Sequence, residues 1–84
     1  MIRSSYFYTQ LNLEDGTPIL LDIYHDEEDA ERHFRDMNDK NIIQDSFAGL
    51  TNIPPSEYAG LSLIKVWTKY GRQTAQECIK RKDL

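Results

Sequence analysis

The sequence predicts an α+β fold: a two-layer sandwich in which an antiparallel sheet of about four strands carries helices on one face, in ββαββα order. Three observations predict it. Residues 6–25 hold two alternating apolar segments around a turn, residues 26–38 hold a capped helical stripe, and the last third repeats the strand-then-helix pattern. A length of 84 residues leaves room for one domain, residues 1–84.

The first two strands are predicted to form a β-hairpin. Residues 6–13 and 19–25 both alternate apolar with polar side chains, as half-buried strands do, and residues 14–16 break the pattern. A three-residue loop with Gly16 in the left-handed region brings the apolar residues to one face, whereas a two-residue loop would scatter them. The expected register pairs Leu11 with Ile19, Thr9 with Leu21 and Phe7 with Ile23.

The next segment, residue 26 to about residue 38, is predicted to be a helix. Asp26 can cap its first amides, and the acidic residues 27–29 suit the positive end of the helix dipole. Ala30, Phe34 and Met37 then recur at helical spacing and form a narrow apolar stripe. Asn41 is expected to end the helix as a left-handed cap.

The remaining elements are less clearly marked. Residues 42–50 read as a third strand with poor alternation. Residues 61–70 fit a helical stripe and a strand face alike, and their β-branched and aromatic content favours the strand. The capping-box pattern of residues 74–77 predicts a short C-terminal helix with Ala75, Cys78 and Ile79 facing inward.

The charge of −4 is unevenly distributed. Residues 1–52 hold eleven acidic residues against four basic ones, whereas residues 53–84 hold six basic residues against three acidic ones. Such polarity either marks two partner surfaces of opposite sign or brings the two halves together in the fold.

Several function classes are poorly supported. The longest apolar run is residues 19–21, and no export signal is recognisable, so we expect a cytoplasmic protein with no membrane partner. One cysteine, Cys78, permits no internal disulfide framework. The glycines are too dispersed for a phosphate loop, and a small chain has little room for a pocket. We therefore expect no enzyme activity and no cofactor.

One spacing raises the question of a metal. His25, Asp29 and His33 are four residues apart and would share one edge of a continuous helix. His25 is expected to belong to the preceding strand, which breaks that geometry, and a zinc site needs three or four convergent ligands. We predict no metal site.

Two surfaces could bind another protein. The helix at residues 26–38 presents a row of carboxylates, although Arg32 and Arg35 interrupt it and a solvated face with i, i+4 pairs explains it as well. If Ile64 and Val66 point to the core, Trp67 is left outside as an interface anchor, unless it packs under a helix or loop. Together with an aromatic patch on the first hairpin, these surfaces give the predicted partner-binding residues: Tyr8, Glu28, Glu31, Asp36 and Trp67.

The alternative is nucleic-acid binding by the basic C-terminal third. Lys65, Trp67 and Lys69 would share one face of the last predicted strand, with Arg72 just beyond. Such a set can stack a base and neutralise phosphates. The net charge of −4 opposes this reading, since affinity for phosphates needs a positive footprint.

The functional expectation is therefore a small non-catalytic protein-binding module, a regulator or inhibitor that occupies a surface of a larger protein or complex. Inhibitors from phages and mobile elements fall in this size class, which is an analogy of scale only. Self-association through an unpaired edge strand, the first or the fourth, is a further expectation.

Overall fold

The computed structural model describes residues 3–84. Its elements follow in the order β1 (Arg3–Leu13), β2 (Pro18–Tyr24), α1 (Glu27–Asp36), α2 (Lys40–Ser46), β3 (Tyr58–Lys69) and β4 (Arg72–Asp83). Two 3₁₀ turns, Ala48–Leu50 and Pro55–Glu57, connect α2 to β3. The predicted α+β class is confirmed. The predicted ββαββα order is wrong, because both helices lie between the two hairpins and the order is ββααββ.

The four strands form one antiparallel sheet in the order β2-β1-β3-β4. Helix α1 packs on β1, β2 and β3 from one side, and no described element covers the other side of the sheet. The edge strands are β2 and β4. The expectation that the first or the fourth predicted strand lies at an edge is therefore wrong, since these segments are β1 and β3, the two central strands.

The hydrophobic core lies between the sheet and the helices. It combines inward residues of the sheet with Ala30 and Phe34 of α1, Ile43 of α2 and Leu50 of the first 3₁₀ turn. Its buried members are Phe7, Leu11, Tyr24, Ala30, Phe34, Ile43, Leu50, Tyr58, Leu61 and Leu63. Ile64 and Val66 are also buried, but they do not belong to this cluster. They point to the opposite face of the sheet, because side chains alternate along a strand.

Helix α1 forms as the sequence predicts. The Asp26 carboxylate accepts a hydrogen bond from the Asp29 amide at 3.0 Å, and Ala30 and Phe34 are buried against the sheet. The helix ends at Asp36, earlier than expected. Asn41 is not its cap but lies inside α2.

The predicted third strand, residues 42–50, is wrong, because its first part is helix α2. The Asp39 carboxylate accepts hydrogen bonds from the amides of Asn41 (2.8 Å) and Ile42 (3.3 Å) and thereby caps the helix. Ile43 and Phe47, which suggested one face of a strand, are four residues apart, and this spacing also fits one face of a helix.

The predicted C-terminal helix is also wrong, because residues 72–83 form strand β4. Tyr70 and Gly71 both have positive φ, 55° and 76°, as in a type I′ turn, and this turn folds β4 back along β3. The far end of β4 is tied to α1 and to the loop after it, since Lys82 Nζ donates to the carbonyl of Phe34 in α1 and to Asn38 Oδ1 in the loop. Pairing along the whole of β3 outweighs the local capping-box preference of residues 74–77.

The first hairpin has the expected loop but only part of the expected register. The Leu13 amide donates to the Thr17 carbonyl, Gly16 has φ +90°, and Leu11 pairs with Ile19, as predicted. A bulge at Leu21 then shifts the pairing by one residue, so that Thr9 faces Asp22 and Phe7 faces Tyr24. The predicted pairs of Thr9 with Leu21 and of Phe7 with Ile23 are therefore wrong.

Candidate interaction surfaces

The first candidate surface is the side of the sheet opposite α1, called here the open face. The bulge at Leu21 gives it one of its apolar residues, because it turns Ile23 away from the core and Tyr24 into it. In the register, Ile23 lies opposite Tyr8, Tyr8 opposite Ile64, and Ile64 opposite Cys78. These four residues, called the apolar stripe, cross all four strands.

Further apolar side chains flank the stripe on both sides. Tyr6 faces Val66 in the next row, and Leu20 faces Gln10 on the other side. Ile23 and Leu20 are 49% and 55% exposed, so two of the exposed large hydrophobic residues of the described chain lie on this one face. Val66 is only 1% exposed although no helix covers it, so neighbouring side chains of the sheet must shield it.

Polar groups border this apolar centre at both ends of the strands. At one end, Gln10 Nε2 donates to Asn12 Oδ1 (2.7 Å), and Asn12 Nδ2 donates to Ser62 Oγ (2.9 Å). At the other end, the hydroxyls of Ser4 and Thr68 are hydrogen-bonded at 2.6 Å. The open face thus has an apolar centre and a hydrogen-bonded border, as protein interfaces do.

Charged side chains are confined to one corner of the open face. The register positions on it are Ser4, Tyr6, Tyr8, Gln10, Asn12, Pro18, Leu20, Ile23, Gly60, Ser62, Ile64, Val66, Thr68, Gln73, Gln76, Cys78, Arg81 and Asp83. Only Arg81 and Asp83, near the end of β4, are ionic. Burial raises the pKa of the Tyr8 phenol, and neighbouring Tyr6 and Cys78 act in the same direction, so Tyr8 stays neutral at physiological pH.

Cys78 lies on this face and is exposed, which corrects the prediction that it faces inward. Ala75 is exposed as well, and of the three residues predicted to be inward only Ile79 packs on the core. The prediction fails because this segment is strand β4 and not a helix, and residues 72–78 of the strand are all exposed.

The second candidate surface is the hairpin tip, defined as residues 67–72 at the β3–β4 turn. The structure brings the four predicted nucleic-acid residues together: Lys65, Trp67 and Lys69 alternate along β3, and Arg72 pairs with Lys69 on β4. They lie on the side of the sheet that carries α1, not on the side of Ile64 and Val66. The expectation that Ile64 and Val66 point to the core and leave Trp67 outside is therefore wrong.

Lys65 and Trp67 are partly engaged within the protein. Lys65 Nζ lies 3.9 Å from Glu27 Oε1 and 5.0 Å from the centroid of the Trp67 ring. Glu77 is its partner in the register on β4. Trp67 is half-buried between two small neighbours, Ser5 and Ala75. Lys65 therefore contributes little free positive charge.

The end of the tip carries unbalanced charge. Within residues 3–84, no carboxylate forms an ion pair with Lys69 or Arg72, which face each other across the hairpin. Like charges in this arrangement are destabilising. Tyr70 is 74% exposed and is the one described residue other than glycine with positive φ. Its positive φ belongs to the type I′ turn, and its ring, with Lys69 Nζ 5.9 Å from the centroid, is not part of the core.

The acidic residues predicted to bind a partner lie on or near the outer side of α1. Glu28 and Glu31 line a shallow cleft together with Arg32 and Arg35. Arg32 is also paired with Asp29. The carboxylates thus alternate with cations along this side of the helix, as a solvated face with ion pairs would.

The predicted partner-binding residues do not form one surface. Tyr8 lies on the open face, Trp67 lies near the hairpin tip, and Glu28 and Glu31 lie on α1. Asp36, at the end of α1, lines a separate cleft with Tyr24 and His33. Two residues near Tyr8 were not predicted as part of this surface. They are Leu20, which lies opposite Gln10, and Ile23, which only the bulge at Leu21 places opposite Tyr8.

The histidines do not converge on a metal site. Of the spaced set His25, Asp29 and His33, only the last two come together, with His33 Nε2 3.5 Å from Asp29 Oδ1. In the described part of the chain, no three residues of the metal-binding types are grouped. The cleft beside His33 has a volume of about 320 Å³, and Ser46, which also lines it, donates its hydroxyl to the Ile42 carbonyl at 2.8 Å.

Comparison with models of protein families, with curated proteins and with solved structures finds no significant match to this chain. Across residues 3–84, no helix combines the length and the apolar character needed to cross a bilayer. The candidate surfaces therefore rest on their own geometry.

Proposed function

We propose that this chain is a small non-catalytic protein-binding module, a regulator or inhibitor that occupies a surface of a larger protein, and that the open face makes the contact. One observation carries the proposal: an apolar stripe crosses all four strands on a side of the sheet that no described element covers. A sheet normally buries such a side against a second layer. The single thiol, Cys78, suits a reducing compartment, so the proposal places the module in the cytoplasm.

The chemistry of the open face supports protein as the partner. Tyrosines supply a large contact area and a polar group, and they are enriched at interfaces. The centre of the face has no charged group whose desolvation would have to be compensated on binding. A polar, hydrogen-bonded border around an apolar centre resembles the division into core and rim in known interfaces.

Replacing Ile23 by lysine is expected to weaken partner binding at least tenfold. The charged side chain would have to be buried within the contact, on edge strand β2, without a partner group. In affinity capture from the cells that make the protein, Ile23→Lys should recover at least tenfold less of any partner held by the wild type, as measured by quantitative mass spectrometry. An effect of this size corresponds to a single well-buried contact.

The matched control is Ile42→Lys. Ile42 has a similar exposure, 57%, but lies on α2 on the other side of the sheet. It should capture the same proteins as the wild type. If both lysine variants fold and all three proteins recover the same set, the open face is not the binding surface.

A second candidate function, binding of single-stranded nucleic acid, is favoured by the hairpin tip. Among the described residues, Lys69 and Arg72 have no carboxylate partner, and Tyr70 exposes a ring on which a base can stack. The acidic residues of α1 lie away from the end of the hairpin tip, and Glu27 is next to Lys65 at the base of the tip. The positive footprint is small, so the expected affinity is modest and strongly dependent on salt.

The test is fluorescence anisotropy with a labelled single-stranded oligonucleotide at several salt concentrations. A variant with both Lys69→Ala and Arg72→Ala should bind more weakly and show a salt slope about 1.4 smaller, because each lost phosphate contact removes roughly 0.7. Lys80→Ala, an exposed charge near the other end of β4, should retain the wild-type slope. Absence of wild-type binding at about 50 mM salt and micromolar protein would contradict this function.

A further inference from the structure

We infer that the occupant of the open face is a second copy of this chain, so that two sheets pack face to face in a dimer with helix, sheet, sheet and helix layers. The inference rests on one part of the proposed function, that the open face is a protein-binding surface, and it names the occupant of that face. The apolar stripe of one copy would meet that of the other, and the pair would bury Leu20, Tyr8 and Ile23 over the already buried Ile64.

Charge favours a second copy. Each chain carries a net charge of −4, so two copies repel each other unless their charged surfaces stay apart. The open face is uncharged except at one corner of β4, so self-contact there brings no like charges together at the centre. The two α1 helices would lie on the outside, roughly 30 Å apart, given about 10 Å per layer. This distance exceeds the screening length of about 8 Å in physiological salt.

The lack of charge also suits self-contact, which needs no charged group to select a partner. Contacts between unlike proteins use complementary charges to choose the partner and to fix its orientation. The centre of the open face offers no such group. It offers instead a surface that can meet itself: a two-fold axis along the apolar stripe superposes the stripe of one copy on that of the other. Two sheets with the same twist also pack well, at about 30°.

The size of the face is adequate for a dimer. Four strands about 4.8 Å apart, with rows from Ser4 to Asn12 at about 3.4 Å per residue, give a projected area of roughly 500 Å². Because Ser62, Ile64 and Val66 of β3 are already buried in one chain, this area fits a dimer weaker than a standard interface, which buries roughly 800 Å² per partner.

The sheet edges are less suited to self-association. On β4, edge pairing would bring the basic residues 80–82 next to charged residues of the second copy. Charged side chains of this kind protect edge strands from pairing with another chain. On β2, Pro18 and the bulge at Leu21 interrupt regular pairing. Pairing of edge strands is the other route to a dimer, and the experiment below distinguishes it from face-to-face packing.

Sedimentation equilibrium of the whole chain, from a few micromolar to several hundred micromolar, tests the inference. The wild type should show a monomer–dimer equilibrium with twice the chain mass at the upper end. Ile23→Lys and Leu20→Lys should each raise the dissociation constant at least tenfold, because each places a charge in the contact. Ile42→Lys should leave it within about twofold of the wild type.

A wild type that stays monomeric at all concentrations overturns the inference. A dimer that Ile23→Lys and Leu20→Lys leave intact also overturns it and indicates edge pairing. The capture experiment separates this failure from that of the proposed function. If the wild type is monomeric and Ile23→Lys loses the captured partner, only the inference of a second copy is refuted. If Ile23→Lys dissociates the dimer but captures the same proteins as the wild type, only binding of a larger partner through this face is refuted.

Discussion

Replacing Ile43 by alanine is expected to lower the free energy of unfolding by about 3 kcal/mol, a large part of the stability of a chain this small. Ile43 is fully buried in the core and is the one buried residue of α2. Truncation removes its contacts and leaves a cavity between the helix and the sheet. Urea denaturation followed by the fluorescence of Trp67 measures the change.

The neighbouring residue is the control, and the sign of its effect reports on secondary structure. Ile42→Ala removes an exposed side chain, and the helix propensity of alanine exceeds that of isoleucine by a few tenths of a kcal/mol. The free energy of unfolding should therefore stay the same or rise slightly. In a strand, the same change would lower stability by up to about 1 kcal/mol. A loss of that size in Ile42→Ala, or a negligible loss in Ile43→Ala, would contradict a packed helix at residues 40–46.

Replacing Gly60 by alanine is expected to cost about 2–3 kcal/mol. A Cβ at this position would lie 2.6 Å from the backbone carbonyl oxygen of Lys82, which is closer than real Cβ contacts come. The end of β4 would have to move away from β3, and with it the hydrogen bonds from Lys82 to α1. Thermal and urea unfolding measured by far-UV circular dichroism give the change.

Gly49→Ala is the matched control. It lies in a 3₁₀ turn, its φ is not in the left-handed region, and no atom within 4 Å would meet the new methyl group. Its stability should be unchanged or higher by about 0.5 kcal/mol, since alanine restricts the unfolded chain. Equal stabilities of the two variants would contradict a strand at residues 72–83, because a C-terminal helix would not bring Lys82 to Gly60.

The parts of the fold that local signals determine were predictable. The turn at residues 14–16 requires a left-handed residue and has Gly16, and the start of α1 requires a side-chain acceptor and has Asp26. Both requirements are met within a few residues, so no distant contact is needed to recognise them. The strand character of β3 followed from its β-branched and aromatic content.

The errors arose where distant contacts outweigh local preference, or where two periodicities coincide. A spacing of four between Ile43 and Phe47 fits a strand and a helix equally, and the Asp39 cap is the feature that distinguishes them. The capping-box pattern at residues 74–77 is a genuine local preference, but pairing with all of β3 overrides it. The signal for β4 was the Tyr70-Gly71 turn, although tyrosine is an unusual residue at positive φ.

The candidate surfaces were partly predictable for the same reasons. Lys65, Trp67, Lys69 and Arg72 come together as expected, because alternation along one strand and a tight turn suffice to place them. Tyr8 lies on the side of β1 away from the core, as its alternation indicated. Which apolar residues surround it depends on one extra residue in β2, and the alternating pattern gave no sign of it.

The bulge at Leu21 has a consequence for how such a surface can evolve. Deleting that one codon would leave Leu20 opposite Gln10 and Asp22 opposite Thr9 in a regular strand, so Ile23 would stay outward and Tyr24 inward. The bulge thus accommodates one extra residue in the edge strand without changing which of the following side chains face outward. Relatives that lack one residue here should keep the same outward chemistry and lose only the local bend of the strand.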